Sequence, residues 1–254
     1  MAAVPVPEPA DGWYLYGIVA AGAAPPDGAG VDPGHGVVAL AEGPVAGLVS
    51  RVSLQEFDEA ALPERLADAV WLEEKIRAHE RVLDSALAAG PVVPCRFCTV
   101  YRDDHELRRF LADRGDVLAS ALRRLEGRVE LGVKAFAAAV PKGEAAGAES
   151  GRAYLEARRR EQQEREELAR TRAELVRDLH RRLLAAADDG VLLDLQSREL
   201  SGRGAEMVFN GSYLVTDAAR FKQALADAAP DGFDVELTGP WPPYNFVPEE
   251  LGRP

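Results

Sequence analysis

No glycine or proline interrupts the chain between Ala153 and Ala187, and this limits the possible folds more than any other feature. Both residues destabilise the interior of a helix, so their absence over this length predicts one long helix at about 152–188. At 1.5 Å per residue, such a helix extends on the order of 50 Å, which exceeds the diameter of a small domain. The fold must therefore accommodate a helix that reaches beyond its own domain.

The two halves of this predicted helix differ in their side chains. Most residues from Glu156 to Glu167 are charged, and Glu161 and Arg165 have the i,i+4 spacing that favours ion pairs on a helix. We expect this half to project, either as a solvated surface or as a coiled-coil-like surface for a partner helix. The other half should pack on a domain, because it carries an apolar stripe formed by Leu168, Leu175, Val176, Leu179, Leu183 and Leu184.

Strand-like and helical segments surround the long helix in a defined order. An alternating apolar pattern at 128–136 predicts a strand before the helix. After the helix, two strands, a second helix and a last strand complete the order β-α-β-β-α-β, which is the ferredoxin-like split βαβ plan. The predicted bounds of these later segments are 191–196, 206–215, 217–228 and, for the last strand, 233–238.

The first half of the chain contains another mixture of strands and helices. Pro63 suits a first helical turn and Gly90-Pro91 suits a helix end, so one helix is expected between them. Apolar runs predict strands at 13–20, 37–40, 45–52 and 92–100, and two further helices are expected from Asp103 or Asp104 through Leu111 and at 117–125. With 141–151 as a linker, the prediction is an α+β protein with a flexible N-terminus (1–11), an N-terminal α+β domain (12–126) and a C-terminal ferredoxin-like domain (127–254).

The segment after the last strand, 239–254, carries three aromatic rings within six residues. Gly239-Pro240 is expected to end the strand, and Trp241, Tyr244 and Phe246 then surround Pro242-Pro243. The two prolines fix two φ angles and stiffen the segment. We expect this tail to pack onto a surface, which is either that of its own domain or that of another protein.

Composition excludes several classes of function. The formal net charge of −12 disfavours binding to nucleic acid or to anionic membranes. No apolar run approaches the roughly 20 residues that a membrane-spanning helix needs. The Pro/Ala-rich start lacks a basic region, so no signal peptide is expected, and two cysteines indicate no disulfide framework. A soluble, cytoplasmic protein is expected.

The motif closest to a reactive site is Cys95-Arg-Phe-Cys98, which has the C-x-x-C spacing of redox and zinc sites. Zinc needs about four ligands, and the chain has no second cysteine pair. The motif lies in a predicted strand and not at a helix start, where a thiol pKa is lowered. Structural thiols are therefore favoured, and a thiol-dependent enzyme is the alternative.

His79 lies beside an apolar stripe and is interpreted as locally hydrogen-bonded, so no catalytic, cofactor-binding or metal-binding residue is expected.

Five segments stand out when the chain is considered as a whole. The most specific is the closing Thr238-Gly-Pro-Trp-Pro-Pro-Tyr-Asn-Phe246, and the others are Trp13–Val19, Val93–Val100, Gly151–Leu155 and Asn210–Val215. In this order, over nearly the whole chain, they resemble the gas vesicle accessory proteins of the GvpF/GvpL family. The usual family form near the cysteine pair is closer to Pro-x-Arg-Phe-Gly-Thr, so Cys98 stands where a glycine is common.

The resemblance implies an α+β protein of two domains, of which the C-terminal one is ferredoxin-like with a helical, coiled-coil-like projection. It also implies a non-enzymatic role in gas vesicle assembly, with no cofactor. The implied partners are the small hydrophobic shell protein GvpA and other vesicle accessory proteins, in the cytoplasm and at the vesicle. A minor structural component retained in the vesicle is the alternative to a transient assembly factor. The candidate partner-binding residues are Trp241, Tyr244, Phe246, Tyr154 and Leu155.

Overall fold

The computed structural model describes residues 11–57, 59–137, 151–197, 205–230 and 232–247, with side chains of the long helix from residue 158 onward. Contacts divide the chain into two compact units. The first unit joins Met1–Val129 to Trp241–Pro254, and the second is Glu130–Pro240. The predicted flexible N-terminus and linker lie almost entirely outside the described residues. The division into domains at 126/127 stays a prediction.

The first unit is built around a central strand, β1 (Asp11–Ala20). Every residue from Tyr14 to Val19 is buried, because the strand has neighbours on both edges and helices packed against it. This burial explains why its sequence is a nearly continuous apolar run. The other strands of the sheet are β2 (Val38–Glu42), β3 (Val45–Ser53), β4 (Val93–Pro94) and β5 (Val100–Tyr101), in the order β2-β3-β1-β4 with β5 also paired to β1.

The helices of the first unit depart from the predicted bounds at two places. The single helix expected from Pro63 to Gly90 is wrong, because Asp68 interrupts it and caps a new helix by accepting hydrogen bonds from the N–H groups of Val70 and Trp71. The two helices expected after Asp103 are one helix, which continues through the buried Gly115. The observed helices are α1 (Leu54–Phe57), α2 (Leu62–Ala67), α3 (Ala69–Ala89) and α4 (Asp104–Leu125).

The strand predicted at 92–100 is also wrong in its length. Only the two-residue strands β4 and β5 form, and a turn separates them. In that turn Cys98 has a φ of +63°, a left-handed conformation that is unusual for a residue with a Cβ. The apolar run therefore consists of two short strands and the turn between them, and not of one regular strand.

The second unit contains the predicted order of strands and helices. Its elements are β6 (Val129–Ala137), α5 (Gly151–Leu184), β7 (Asp189–Leu192), β8 (Glu206–Val215), α6 (Ala218–Ala228) and β9 (Phe233–Trp241). The order in the sheet is β7-β8-β6-β9, so each helical connection passes over one intervening strand. That connectivity is the one expected of a split βαβ plan.

Strand β9 differs from its predicted pattern. Phe233, Val235 and Leu237 are only partly buried, and so are Glu236 and Thr238. The clean alternation expected from the sequence is absent because β9 is the last strand in the described sheet order and lacks a second neighbour there. The strand also continues through Gly239-Pro240 to Trp241, so these two residues do not end it.

Helix α5 is long, as predicted, but packs over less of its length than expected. Every described residue from Arg158 to Thr171 is exposed, and Leu168 remains 41% exposed. Packing begins at Arg172, whose guanidinium lies 3.3 Å from a carboxylate oxygen of Glu206. Farther along, Leu179 and Leu183 are buried. The predicted stripe therefore contacts the unit only through its C-terminal part, and the coiled-coil pairing of the rest stays a prediction.

Shortening a side chain to alanine should change the free energy of unfolding by different amounts in the two parts of this stripe. Leu179→Ala creates a cavity against the sheet and should lower the free energy of unfolding by about 2–4 kcal/mol. Leu168→Ala should change it by no more than about 0.5 kcal/mol, because the side chain is already solvated. Urea unfolding of the two variants beside the wild type measures the difference. Equal losses would show that the N-terminal part of α5 is covered in solution.

Candidate partner-binding site

The aromatic tail folds onto the first unit. Residues Tyr244–Phe246 form a 3-10 turn, and Phe246 is only 6% exposed. The backbone oxygen of Phe246 accepts a hydrogen bond from the guanidinium of Arg124, at 3.5 Å. The sequence predicts 239–254 as part of the C-terminal domain, and contacts group the described residues Trp241–Val247 with the first unit. The physical reason is that Tyr244 and Phe246 form their hydrogen bonds with His79 and Glu80 of α3 and with Arg124 of α4.

A chain of hydrogen bonds holds the tail at the core of this unit. The hydroxyl of Tyr244 lies 3.2 Å from Nε2 of His79 and 3.2 Å from a carboxylate oxygen of Glu80. The other ring nitrogen of His79, Nδ1, lies 3.0 Å from the hydroxyl of Tyr14, which accepts a hydrogen bond from the backbone N–H of Cys98. The chain therefore joins the first strand, the central helix α3, the Cys98 turn and the tail.

Burial determines the protonation states of the groups in this hydrogen-bond chain. His79 is 1% exposed, and loss of water contact lowers its pKa from 6.5 to about 4, against a smaller opposing effect of a Cys95 backbone hydrogen bond. Burial likewise raises the pKa values of Tyr14 and Tyr244. A neutral imidazole has one donor and one acceptor. A consistent assignment has Tyr14 donating to Nδ1, Nε2–H donating to Tyr244, and Tyr244 donating to Glu80.

The five predicted partner-binding residues are in different environments. Phe246 is buried and Tyr244 is partly buried against α3, so their rings serve mainly to anchor the tail. Trp241 is 45% exposed and presents apolar surface to solvent. Tyr154 and Leu155 lie in the first turns of α5, and their side chains are outside the described residues. Among the described side chains of the five, Trp241 offers the largest surface to a partner.

Sequence reasoning missed the residues that hold the tail. It identified His79 as a locally hydrogen-bonded histidine, but it did not connect His79 with Tyr14 or with Tyr244. These residues are separated by 65 and 165 positions, and no periodic pattern relates them. The available signals were a tyrosine within the apolar run of the first strand and a histidine beside an apolar helix stripe, and together they are too weak to predict a contact.

The two thiols lie in an environment that suppresses reactivity. Cys95 is buried and Cys98 is half-buried, and burial raises the pKa of each thiol to about 12. A nucleophilic or metal-binding cysteine needs the thiolate, which this environment disfavours. Within the described part of the chain, no group of three or more histidine, cysteine or acidic residues is placed to hold a metal ion. Structural thiols therefore fit this geometry better than a thiol enzyme does.

No helix among the described residues combines the length and the apolar character that crossing a membrane requires.

A protein-family model matches most of the chain. The model of the family described as gas vesicle synthesis protein GvpL/GvpF matches residues 12–248. A gas vesicle protein L from a Streptomyces species is 38% identical over 249 residues, which cover 92% of each chain. A gas vesicle protein F2 from Halobacterium salinarum is 30% identical over 201 residues, covering 76% of this chain and 75% of the relative.

Solved structures show the same fold. The crystal structure of gas vesicle protein GvpF from an Anabaena species superposes with a TM-score of 0.67 at 20% identity, covering 93% of this chain and 95% of that one. The GvpF structure from Microcystis aeruginosa gives a TM-score of 0.64 at 21% identity, with coverages of 92% and 98%. The mixture of helices and sheet predicted from the sequence is thus the fold of these proteins.

Burial of neutral His79 should make stability depend on pH. Its folded-state pKa of about 4 is below the unfolded value of 6.5, so the unfolded chain binds more protons between these pH values and stability falls as the pH falls through this range. The difference corresponds to about 3 kcal/mol. Urea unfolding at pH 7 and at pH 4 gives the free energy of unfolding of the wild type and of His79→Gln. The difference between the two proteins should be smaller at pH 4 than at pH 7 by about this amount. A gap that stays constant would contradict the assignment.

The conformation of Cys98 should be a source of strain. A non-glycine residue in the left-handed region costs on the order of 1 kcal/mol, so Cys98→Gly should raise the free energy of unfolding by about that amount. Cys98→Ala is the matched control, since it removes the thiol and keeps the strained Cβ, and it should be destabilising. Thermal unfolding distinguishes the two. If both variants lose stability equally, side-chain packing outweighs backbone strain at this position.

Proposed function

Because this chain belongs to the gas vesicle synthesis protein family GvpL/GvpF, we propose that it is a non-enzymatic accessory protein of gas vesicle assembly. It binds the hydrophobic shell protein GvpA and other vesicle accessory proteins during nucleation or growth of the shell. It acts in the cytoplasm and at the vesicle, without a cofactor. The observation that carries the proposal is the family match over residues 12–248.

The physical properties of the chain suit an escort for an apolar subunit. A shell protein with apolar surfaces aggregates before assembly unless those surfaces are covered. The formal net charge of −12 keeps a complex with such a subunit dispersed by repulsion between complexes. The exposed ring of Trp241 and the exposed first part of α5 supply surface beyond what the described core uses.

The geometry also supports a role without catalysis. The cysteine thiols are protonated by burial, and His79 is a buried, neutral part of a structural hydrogen-bond chain. Neither group meets solvent in the state that nucleophilic or general-base catalysis requires.

Two single substitutions in the tail separate anchoring from binding. Trp241→Ala should weaken retention of the shell protein in a co-expression pull-down and should lower the melting temperature less than removal of a buried anchor does, because the ring is 45% exposed. Tyr244→Phe should do the opposite, since it removes a buried hydroxyl that bridges His79 and Glu80 and costs about 1–2 kcal/mol. If Trp241→Ala lowers stability and leaves retention intact, the whole tail is an anchor and partners bind elsewhere.

The proposed function is tested by the wild type in the same experiment. Failure to retain shell protein, together with normal vesicles in a strain that lacks this chain, would overturn it. Quantifying the chain in washed, intact vesicles distinguishes a transient assembly factor from a retained component.

A further inference from the structure

The exposed part of α5 carries an ordered set of charges along one face. Arg158, Glu161, Arg165 and Leu168 follow one another at spacings of three, four and three residues, which places them on the same side of the helix. We call these four residues the α5 stripe. All four are exposed, and the exposed fraction of Leu168 is 41%. The stripe therefore offers its outer surface to a partner helix.

Ion pairs within the helix hold the charged side chains along the stripe. One carboxylate oxygen of Glu161 lies 2.5 Å from the guanidinium of Arg165, and the other lies 3.6 Å from that of Arg158. A guanidinium has about five N–H donors and a carboxylate has about four acceptor sites, so each group keeps unused hydrogen-bonding capacity. A partner helix can use this capacity without breaking the pairs that already exist.

The order of charges in this part of α5 is complementary to itself in the antiparallel direction. In an antiparallel pair of such helices centred on Gln163, residues equally far from Gln163 lie at the same height. From residue 158 to residue 168, no charge then lies at the height of a like charge. Arg158, Arg159, Arg160, Glu161 and Gln162 lie at the heights of Leu168, Glu167, Glu166, Arg165 and Glu164 of the second helix, respectively.

Other alignments of two such helices bring like charges together. A shift by one residue in either direction places Glu161 at the height of Glu164 or of Glu166. A parallel pair in register places each residue of the stripe beside its own copy, so that arginine meets arginine and glutamate meets glutamate. Juxtaposed like charges oppose association. The charge order therefore favours one direction and one register, and the helix that matches it is a second copy of α5.

The contacts expected within such a pair follow from the stripe. Glu161 of each copy lies beside Arg165 of the other, so the ion pairs within each helix extend into a network between the helices. Leu168 of each copy lies beside Arg158 of the other, whose methylene stem can cover the apolar side chain while the guanidinium stays in water. Exposed ion pairs contribute little individually and are screened by salt, so the association is weak and salt-sensitive.

From these observations we propose that the exposed part of α5 is a self-association surface, on which a second copy of this chain binds in the antiparallel direction, centred on Gln163. The inference goes beyond the proposed function and does not depend on it. Residues from Arg172 onward, where α5 packs on the second unit, lie outside the paired span. Pairing therefore uses side chains that the described core leaves in solvent.

The test is sedimentation velocity of the full chain over a range of concentrations at low salt. Glu161→Arg and Arg165→Glu each bring like charges together between the copies, and each should raise the dissociation constant at least about tenfold. An equimolar mixture of the two variants should associate again, because each substituted position then meets an opposite charge. Repulsion within each single helix is unchanged by mixing, so recovery reports contact between copies.

The matched control is Asp113→Arg on α4, which makes the same change of charge at an exposed position of another helix. Its dissociation constant should equal that of the wild type. Circular dichroism during thermal unfolding verifies that each variant folds. Addition of about 1 M NaCl should weaken association of the wild type, because the Debye length falls to about 3 Å.

Each outcome decides for or against the self-association surface. Loss in both α5 variants, recovery in their mixture and no change in Asp113→Arg support it. A wild type that stays monomeric at every concentration overturns it, and so does association that the α5 variants leave unchanged. Loss without recovery in the mixture overturns the antiparallel register. If the wild type stays monomeric but retains another vesicle accessory protein, and both α5 variants lose it, the stripe binds that protein and the self-association surface is overturned.

Discussion

The buried hydrogen-bond chain through His79 is the interaction on which the first unit depends. Its imidazole is enclosed by the rings of Tyr14, Tyr16 and Phe97, with centroid distances of 5.7 to 5.8 Å. Inside such a cluster an unpaired nitrogen is costly, and the hydroxyls of Tyr14 and Tyr244 each lie within hydrogen-bond distance of one ring nitrogen. Because one of those partners is Tyr244, the aromatic tail contributes to a core whose first element is β1.

This arrangement determines which parts of the molecule remain for partners. Phe246 and Tyr244 are committed to the core, so the tail presents Trp241 and little else among its three rings. The Cys98 turn is committed in the same way, because its backbone N–H donates to Tyr14. Exposed apolar side chains of the first unit include Leu66 on α2 and Val70 on α3. In the second unit, they include Leu168 on α5, before Arg172.

Several elements could be predicted from local pattern. Strand β8, helix α6 and the order β-α-β-β-α-β were visible because side-chain periodicity and capping residues such as Asp217 act over a few positions. The errors have equally local causes. Asp68 caps a new helix inside an apolar stripe that continues across it, and Gly115 lies in a helix although glycine usually weakens one. The family resemblance rested on the closing aromatic segment, but the sequence pattern could not reveal on which surface that segment packs.

The sequence by itself determined the long helix and the mixture of helices and strands, since these follow from residue type and short spacing along the chain, and it carried the resemblance to the family. Only the tertiary structure decided that the tail belongs to the first unit, that Cys98 adopts a left-handed conformation, and that His79 joins Tyr14 to Tyr244. The physical reason is that burial and hydrogen bonding depend on residues brought together from distant positions. The desolvation that lowers the pKa of His79 and raises that of each thiol arises only when those residues close the core around them.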